Sequence, residues 1–346
     1  MSDPAAPLPV VAVFLGGASR EHDISLRSGT AVVRALPAAG FVPLPVLVTR
    51  DGRFAFPPVD DPTRSDGPVT LSQAVAHLET CRPVCAFIAM HGLSGEDGRV
   101  QALCDWLHVP HIGADVIGSA VALDKWFSKS VYRASGIPTP DAVLLHAADR
   151  VAPGWVRDVV SRIGLPFVVK ASREGSSYGV AIVRESSEVE SAVGSCAGRD
   201  GRVIIEAYRS GREFSVPVLE DPTSGEPRAL PVIEIVVKSH EFFDLASKYD
   251  PTLSEEICPA PIPGDLAAEI QRLGVAAHRA LALSGFSRTD VIVDDGGAWV
   301  LETNTIPGMT QTSLFPKAAA VAGIPFPEMV RTLVQRAIGA SRFQSN

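Results

Sequence analysis

Two carboxylates and a carboxamide close to one turn are the residues here with most chemistry in them. The segment R-T-D-V-I-V-D-D-G-G-A-W-V-L-E-T-N, from Arg288 to Asn304, reads as two β-strands joined at Asp295-Gly296-Gly297. Pairing Asp294 with Ala298 sets Ile292 against Val300 and Asp290 against Glu302. Side chains two apart on a strand share a face, so Asp290, Glu302 and Asn304 converge. Opposed carboxylates repel, and a cation between them reverses that cost. Oxygen-only donors favour Mg²⁺ or Mn²⁺, and an ion held by few carboxylates usually also holds substrate phosphates. An ordinary hairpin with solvated acids has the same pattern, so the hairpin alone does not decide.

A second segment fits that chemistry. A short strand, Pro166–Lys170, precedes A-S-R-E-G-S-S-Y-G. Small residues across Arg173–Gly179 let backbone N–H groups approach phosphate oxygens, and Ser176 and Ser177 add hydroxyl donors. Lys170 brings charge to the strand end. The spacing is not that of a P-loop. Glu206 and Glu213 flank A-Y-R-S-G-R, where a strand-end acid and a Gly-containing link suit an adenine and a ribose. Gly16-Gly17 lies between a strand and a helix, but the G-x-G-x-x-G spacing of a dinucleotide site is missing, which weakens a dehydrogenase reading. Glu21, just beyond, suits an ammonium. His91 follows the apolar run Val84–Met90, where parallel sheets place ligand-facing loops.

These groups need elements to position them. Val10–Leu15, a helix from a cap at Asp23 to about Leu36, Leu44–Val48, Val84–Met90 and a helix over Val100–Leu107 form a parallel α/β layer. Leu123–Ala134 reads as one amphipathic helix. Strands follow at Val180–Val183, Val203–Glu206, Phe214–Leu219 and Pro231–Val237, then helices over Asp265–Leu283 and near Glu328–Ile338. The expected units are 1–113, 114–206 and 207–346.

Composition narrows the partners. With 346 residues, 46% hydrophobic and 20% charged, the chain has length for several cores, and a net charge of −8 argues against nucleic acid or anionic membrane as partner. No apolar run is long enough to span a bilayer, and M-S-D-P-A-A-P-L-P does not read as a signal peptide. Five scattered cysteines form neither a disulfide framework nor a zinc pattern, and read as buried free thiols in a reducing cytoplasm.

The order of these segments resembles the D-alanine–D-alanine ligases of the ATP-grasp superfamily, from about Val10 to Ile338. It rests on G-G-A-S-R-E-H-D-I-S-L, H-G-L-S-G-E-D-G-R-V-Q, L-D-K, V-V-K-A-S-R-E-G-S-S-Y-G-V, G-R-E-F-S-V, S-K-Y, I-C-P-A and R-T-D…L-E-T-N-T-I-P-G-M-T-Q-T-S-L-F-P. The resemblance implies an N-terminal parallel α/β domain followed by a two-domain ATP-grasp fold. It also implies ATP as co-substrate, two Mg²⁺ or Mn²⁺ ions, D-alanine as substrate, a homodimer and a cytoplasmic location.

By motif, the resemblance gives Lys125, Lys170 and Lys248 to ATP phosphates, with Ser177 in the covering loop. Glu206 and the backbone of Ala207 and Tyr208 go to adenine, and Glu213 to ribose. Asp290, Glu302 and Asn304 go to metal. Glu21 takes the first ammonium, with His91 near the carboxyl group. Arg288 and the N–H of Gly308 take the oxyanion, and Ser313 and the N–H of Leu314 the second carboxylate. Glu21, Ser176 and Tyr249 form a latch. Phe243, Leu245, Ser247, Ala171, Thr289 and Ile306 depart from the family pattern without removing a catalytic group. They leave open another acceptor, such as D-serine or D-lactate, while Tyr249 speaks against D-lactate. A nucleotide-binding protein without turnover is the remaining rival, and the intact charged set speaks against it.

Overall fold

The computed structural model describes residues 7–174, 179–197, 201–237 and 254–340. Three sheets divide the chain. The first is built from β1 (Val10–Gly16), β2 (Val42–Val48), β3 (Phe54–Ala55) and β4 (Cys85–Ile88), in the order β3-β2-β1-β4. β1 pairs parallel with β2 and β4. Pro43 and Pro45 are tolerated in β2 because β3 joins its other side only at Leu47 and Val48. Helices α1 (His22–Ala39), α2 (Leu71–Cys81) and α3 (Arg99–Trp106) belong to this layer. Asp23 does not cap α1. Glu21 holds the cap position, and Asp23 sits in the first turn, paired with Arg50.

The expected helix over Leu123–Ala134 is α5 (Lys125–Ala134), starting two residues later, and a separate helix, α4 (Val116–Leu123), precedes it. Asp124 separates the two with an extended backbone and starts α5 by accepting from Trp126 N–H at 3.2 Å. Its carboxylate also takes Ser172 Oγ at 2.7 Å and Arg202 Nη2 at 2.8 Å. Those outside partners favour the break over continuation of the apolar stripe.

The second sheet, in the order β5-β8-β6-β7, contains β5 (Ala142–Leu145), β6 (Phe167–Ala171), β7 (Val180–Val183) and β8 (Val203–Ala207). Its pairings are antiparallel, and α6 (Trp155–Ile163) and α7 (Val189–Cys196) accompany it. The third holds β9 (Arg212–Glu220), β10 (Pro227–Ala229), β11 (Ile233–Val237), β12 (Ser254–Ile257), β13 (Phe286–Asp294) and β14 (Gly297–Asn304), in the order β12-β11-β9-β13-β14, with β10 on β9. Helix α8 (Gly264–Ala280) buries Ile270, Leu273 and Ala277 in one cluster with Phe214, Val216 and Val300. Tyr132 of α5 and Ala122 of α4 lie in that same cluster, so α4 and α5 pack on the third sheet.

Helices α9 (Leu314–Val321) and α10 (Phe326–Gly339) close the chain back onto the first layer. Val330, Leu333 and Val334 share a core with Val32, Val33 and Leu36 of α1. Arg331 donates to the carbonyls of Ala38 and Ala39, covering the C-terminal end of α1. The five thiols are free, but only Cys85, Cys104 and Cys196 are buried; Cys81 and Cys258 are partly exposed, which corrects the expectation of five buried thiols.

Candidate active site

The hairpin brings Asp290 opposite Glu302, though not by the register the turn suggests. Asp294 pairs with Gly297, leaving Asp295 and Gly296 as the turn, and Val291 pairs with Val300. The register then shifts between Val291 and Asp290, so Leu301 is the extra residue of a bulge and Asp290 faces Glu302. The expected Asp294–Ala298 and Ile292–Val300 pairs are therefore wrong, while the pairing at the acidic end holds. Ser215 Oγ donates to Asp290 Oδ1 at 2.6 Å, and Asn304 Nδ2 lies 3.3 Å from Oδ2.

Protein cations meet both acids. Arg288 donates through Nε to Asp290 Oδ1 at 3.2 Å and through Nη2 to Oδ2 at 2.9 Å. Burial opposes the Arg288 charge, but Asp290 first, then Glu302 and Glu256, outweigh it and raise its pKa. Lys125, the first residue of α5, sets Nζ 3.2 Å from Glu302 Oε2 and donates to the Glu174 carbonyl at 2.8 Å. The donor set is two carboxylates and one amide. Among the described residues no three His, Cys, Asp or Glu side chains cluster as a metal site. Oxygen donors of this number fit a hard divalent cation whose remaining ligands come from substrate oxygens and water.

A second group of residues lies between the second and third sheets. A cavity of about 370 Å³ is lined by Val168, Ile182, Glu206, Glu213, Val236 and Ile292, among others. Glu206, at the end of β8, is buried between two lysines. Lys170 Nζ is 3.0 Å from Oε1, and Lys129 Nζ pairs with Oε2. Burial pushes the Glu206 carboxyl up, but Lys129 and Lys170 outweigh it and its pKa is lowered. Burial likewise opposes the Lys170 charge, and Glu206, Glu302 and Glu213 overturn it. The backbone N–H of Ala207 is spent on Asp141 O at 2.8 Å and that of Tyr208 on Pro166 O at 3.3 Å. Both N–H groups are therefore engaged within the chain.

A third group sits where the first sheet meets the loop after β14. Glu21 and His91 are both buried. Ser25 Oγ donates to Glu21 O at 3.0 Å and accepts from His91 N–H at 2.8 Å. Gly92 is required here: its φ is +73°, and a Cβ would come 2.7 Å from Glu21 Oε2. Ser28 Oγ lies 2.9 Å from His91 Nε2 and accepts from Met309 N–H at 3.2 Å. Burial holds the His91 imidazole below its ordinary pKa against the charge of Glu21. Glu96 accepts from Gly92 N–H at 2.7 Å; burial, then the charge of Glu21, pushes its pKa up to about 8. Beside this, a Cβ on Gly308 would come 2.8 Å from Ser313 Oγ. Ser313 precedes α9, so Leu314 opens a helix whose first N–H groups face outward along the axis.

Of the residues singled out by sequence, Ser176, Ser177, Lys248 and Tyr249 lie outside the described residues, as do Phe243, Leu245 and Ser247. Sequence reading missed Lys129, Glu96, Asp124 and Ser28. Lys129 stands four positions after Lys125, the spacing that shares a helix face, and Glu96 stands inside the H-G-L-S-G-E-D-G segment. Thr289 earns its hydroxyl in a buried chain: Tyr132 Oη donates to Thr303 Oγ1 at 2.8 Å, which lies 3.0 Å from Thr289 Oγ1.

The chain is similar over nearly its whole length to proteins of one kind. Two family models match, the D-ala D-ala ligase N-terminus over residues 10–114 and the D-ala D-ala ligase C-terminus over residues 131–335. The D-alanine--D-alanine ligase of Desulforudis audaxviator is 40% identical over 328 residues, 94% of this chain and 98% of the relative. That of Syntrophobacter fumaroxidans is 41% identical over 329 residues, 95% of this chain and 97% of the relative. Among solved structures, the D-alanine-D-alanine ligase from Coxiella burnetii superimposes with a TM-score of 0.80 at 28% identity, covering 96% of this chain and 94% of that one. The VanG D-Ala:D-Ser ligase from Enterococcus faecalis gives 0.82 at 28% identity, covering 96% and 100%. With both halves matched in order and acids, lysines and glycines gathered as described, this chain belongs to the D-alanine–D-alanine ligase family, with its ATP-grasp fold.

Proposed function

We propose that the protein joins two D-alanine molecules at the expense of ATP, with D-alanyl-D-alanine, ADP and phosphate as products, to supply peptidoglycan precursors. The supporting observation is the Asp290–Glu302 pair with Arg288 and Lys125 upon it. Through His91, Ser28 and Met309, the Glu21 site and the Gly308 turn are joined beside it.

A carboxylate is a poor electrophile. The first D-alanine therefore attacks the γ-phosphorus of ATP through a carboxylate oxygen, and ADP leaves. The nitrogen of the second attacks the acyl carbon of the D-alanyl phosphate, and phosphate leaves with the C–O bond. Lys125 and Lys170, with Lys248, supply charge to the phosphates, and Ser177 belongs to the covering loop. Glu206 reads the adenine and Glu213 the ribose. Asp290, Glu302 and Asn304 hold two divalent ions, Mg²⁺ or Mn²⁺, which when bound neutralise charge on the transferring phosphoryl group. Glu21 binds the first ammonium, and neutral His91 stands near the first carboxyl group. Arg288 and the Gly308 N–H stabilise the oxyanion. Ser313 and the N-terminus of α9 at Leu314 hold the second carboxylate. Glu21, Ser176 and Tyr249 exclude water from the acylphosphate.

D-alanine is favoured as acceptor. The relatives at 40–41% identity are ligases of D-alanine, whereas the D-Ala:D-Ser ligase shares 28%. No helix among the described residues is long and apolar enough to cross a membrane. A cytoplasmic homodimer is the assembly we propose. Mass analysis of products from ATP, Mg²⁺ and a pool of D-amino and D-hydroxy acids tests the function. D-alanyl-D-alanine as the main product is expected; a mixed dipeptide or ester in excess overturns the acceptor.

A further inference from the structure

Lys129 is fully buried, at 0% exposure, on the face of α5 that also carries Lys125. Its Nζ pairs with Glu206 Oε2 and donates to Thr139 Oγ1 at 2.7 Å. That hydroxyl donates in turn to the carbonyl of Val300 in β14 at 2.7 Å. The lysine is thus pinned between the second sheet and the third. Lys170, the other partner of Glu206, is placed differently. It also feels Glu302 and Glu213, and the proposed function gives it to the phosphates. A Lys170 drawn toward phosphate leaves Glu206 with one counter-charge. Burial favours a protonated Glu206, and Lys129 is the first of the charges that oppose this.

The protonation state matters to what Glu206 recognises. An ionised carboxylate only accepts hydrogen bonds and suits an exocyclic amino group. A protonated one also donates and suits a carbonyl. We infer that Lys129 is a positioning residue for the nucleotide base: it is the fixed counter-charge that keeps Glu206 an ionised acceptor while Lys170 serves the phosphates, and so sets the preference for adenine over a 6-keto purine. This rests on the assignment of Glu206 to the base. Lys129 itself is pushed down to about 8, chiefly by burial and further by Lys170 and Arg133, against the pull of Glu206.

The test compares ATP with ITP, whose base carries a carbonyl in place of the amino group. Wild type, Lys129→Met, Glu206→Gln and the double variant are assayed with saturating D-alanine. Lys129→Met raises KM for ATP about tenfold or more, as loss of a charged hydrogen bond does, and narrows the ATP-over-ITP ratio. Its kcat stays within about threefold of wild type, the pattern of lost binding rather than lost transition-state contact. In the Glu206→Gln background, which needs no counter-charge, Lys129→Met adds little. A ratio lost in Glu206→Gln but kept in Lys129→Met overturns the role of Lys129 alone. A ratio kept in both overturns the assignment of Glu206 and this inference with it. Should Lys129→Met not fold, Lys129→Gln is assayed in the same way, and an ATP-over-ITP ratio equal to that of wild type overturns the inference.

Discussion

Asp290 and Glu302 face each other across β13 and β14, and each already carries a protein cation, Arg288 on the first and Lys125 on the second. The pair is charge-balanced without a divalent ion, so the two acids are stable neighbours in the folded chain. Glu302→Gln removes one donor and keeps the shape. The Mg²⁺ concentration for half-maximal turnover should rise by about tenfold or more, the least expected for loss of a ligand rather than of its support. The thermal midpoint should hardly move. Metal titration of activity, with a melt of the same sample, checks both; ordinary Mg²⁺ dependence in a folded variant refutes the metal assignment.

Arg288 holds Asp290, and the proposed function gives it the oxyanion as well. Arg288→Ala should lower kcat and kcat/KM together by about 10²-fold, the scale of a lost oxyanion donor. Steady-state kinetics in both substrates separates this from a nucleotide contact, which would raise only the KM for ATP.

Gly308 leaves room that a methyl group would take from Ser313 Oγ, 2.8 Å from the position of a Cβ. Gly308→Ala should therefore raise KM for the second D-alanine by about tenfold, as displacement of one charged hydrogen bond costs, with KM for ATP unchanged. Kinetics at fixed ATP and varied D-alanine, fitted for two sites, reads the difference.

Away from the site, Glu220 joins four elements. It accepts from Arg336 Nε at 2.7 Å and from Gly285 N–H at 2.8 Å, and lies 3.3 Å from His278 Nε2, whose Nδ1 is 2.8 Å from Ser287 Oγ. Burial raises its pKa, but His278, Gly285 and Arg336 together hold it below the ordinary value. A carboxyl lowered on folding stabilises the fold above its unfolded pKa and loses that contribution as pH falls through the folded one. Glu220→Gln should cost about 1–3 kcal/mol at neutral pH, and the gap from wild type should close as the pH falls below about 4. Urea melts of both proteins across that range measure it.

Much of the site was legible because it lies in short local patterns. That Glu302 and Asn304 share one face follows from strand periodicity, and the parallel first layer from its apolar runs. What escaped was set by distant partners. The start of α5 at Lys125 rather than Leu123 depends on Ser172 and Arg202 bonding to Asp124, residues far along the chain. The bulge at Leu301 cancelled an error of one in the turn, so the acids met for a reason the periodicity did not contain. Lys129 looked like one more polar residue on a helix, since its acid is 77 positions away, between residues 129 and 206.

Ser28 gives the architecture a practical edge. One hydroxyl on α1 is shared by the imidazole of His91 and the backbone of Met309, next to Gly308. The proposed pocket for the acyl donor and the turn proposed to receive the oxyanion are therefore fastened at one point and cannot drift apart separately. Substitutions that reshape the donor pocket will register in transition-state stabilisation as well as in donor affinity. A chimera that borrows its N-terminal layer from a relative keeps its turnover only where a hydroxyl is restored at this point.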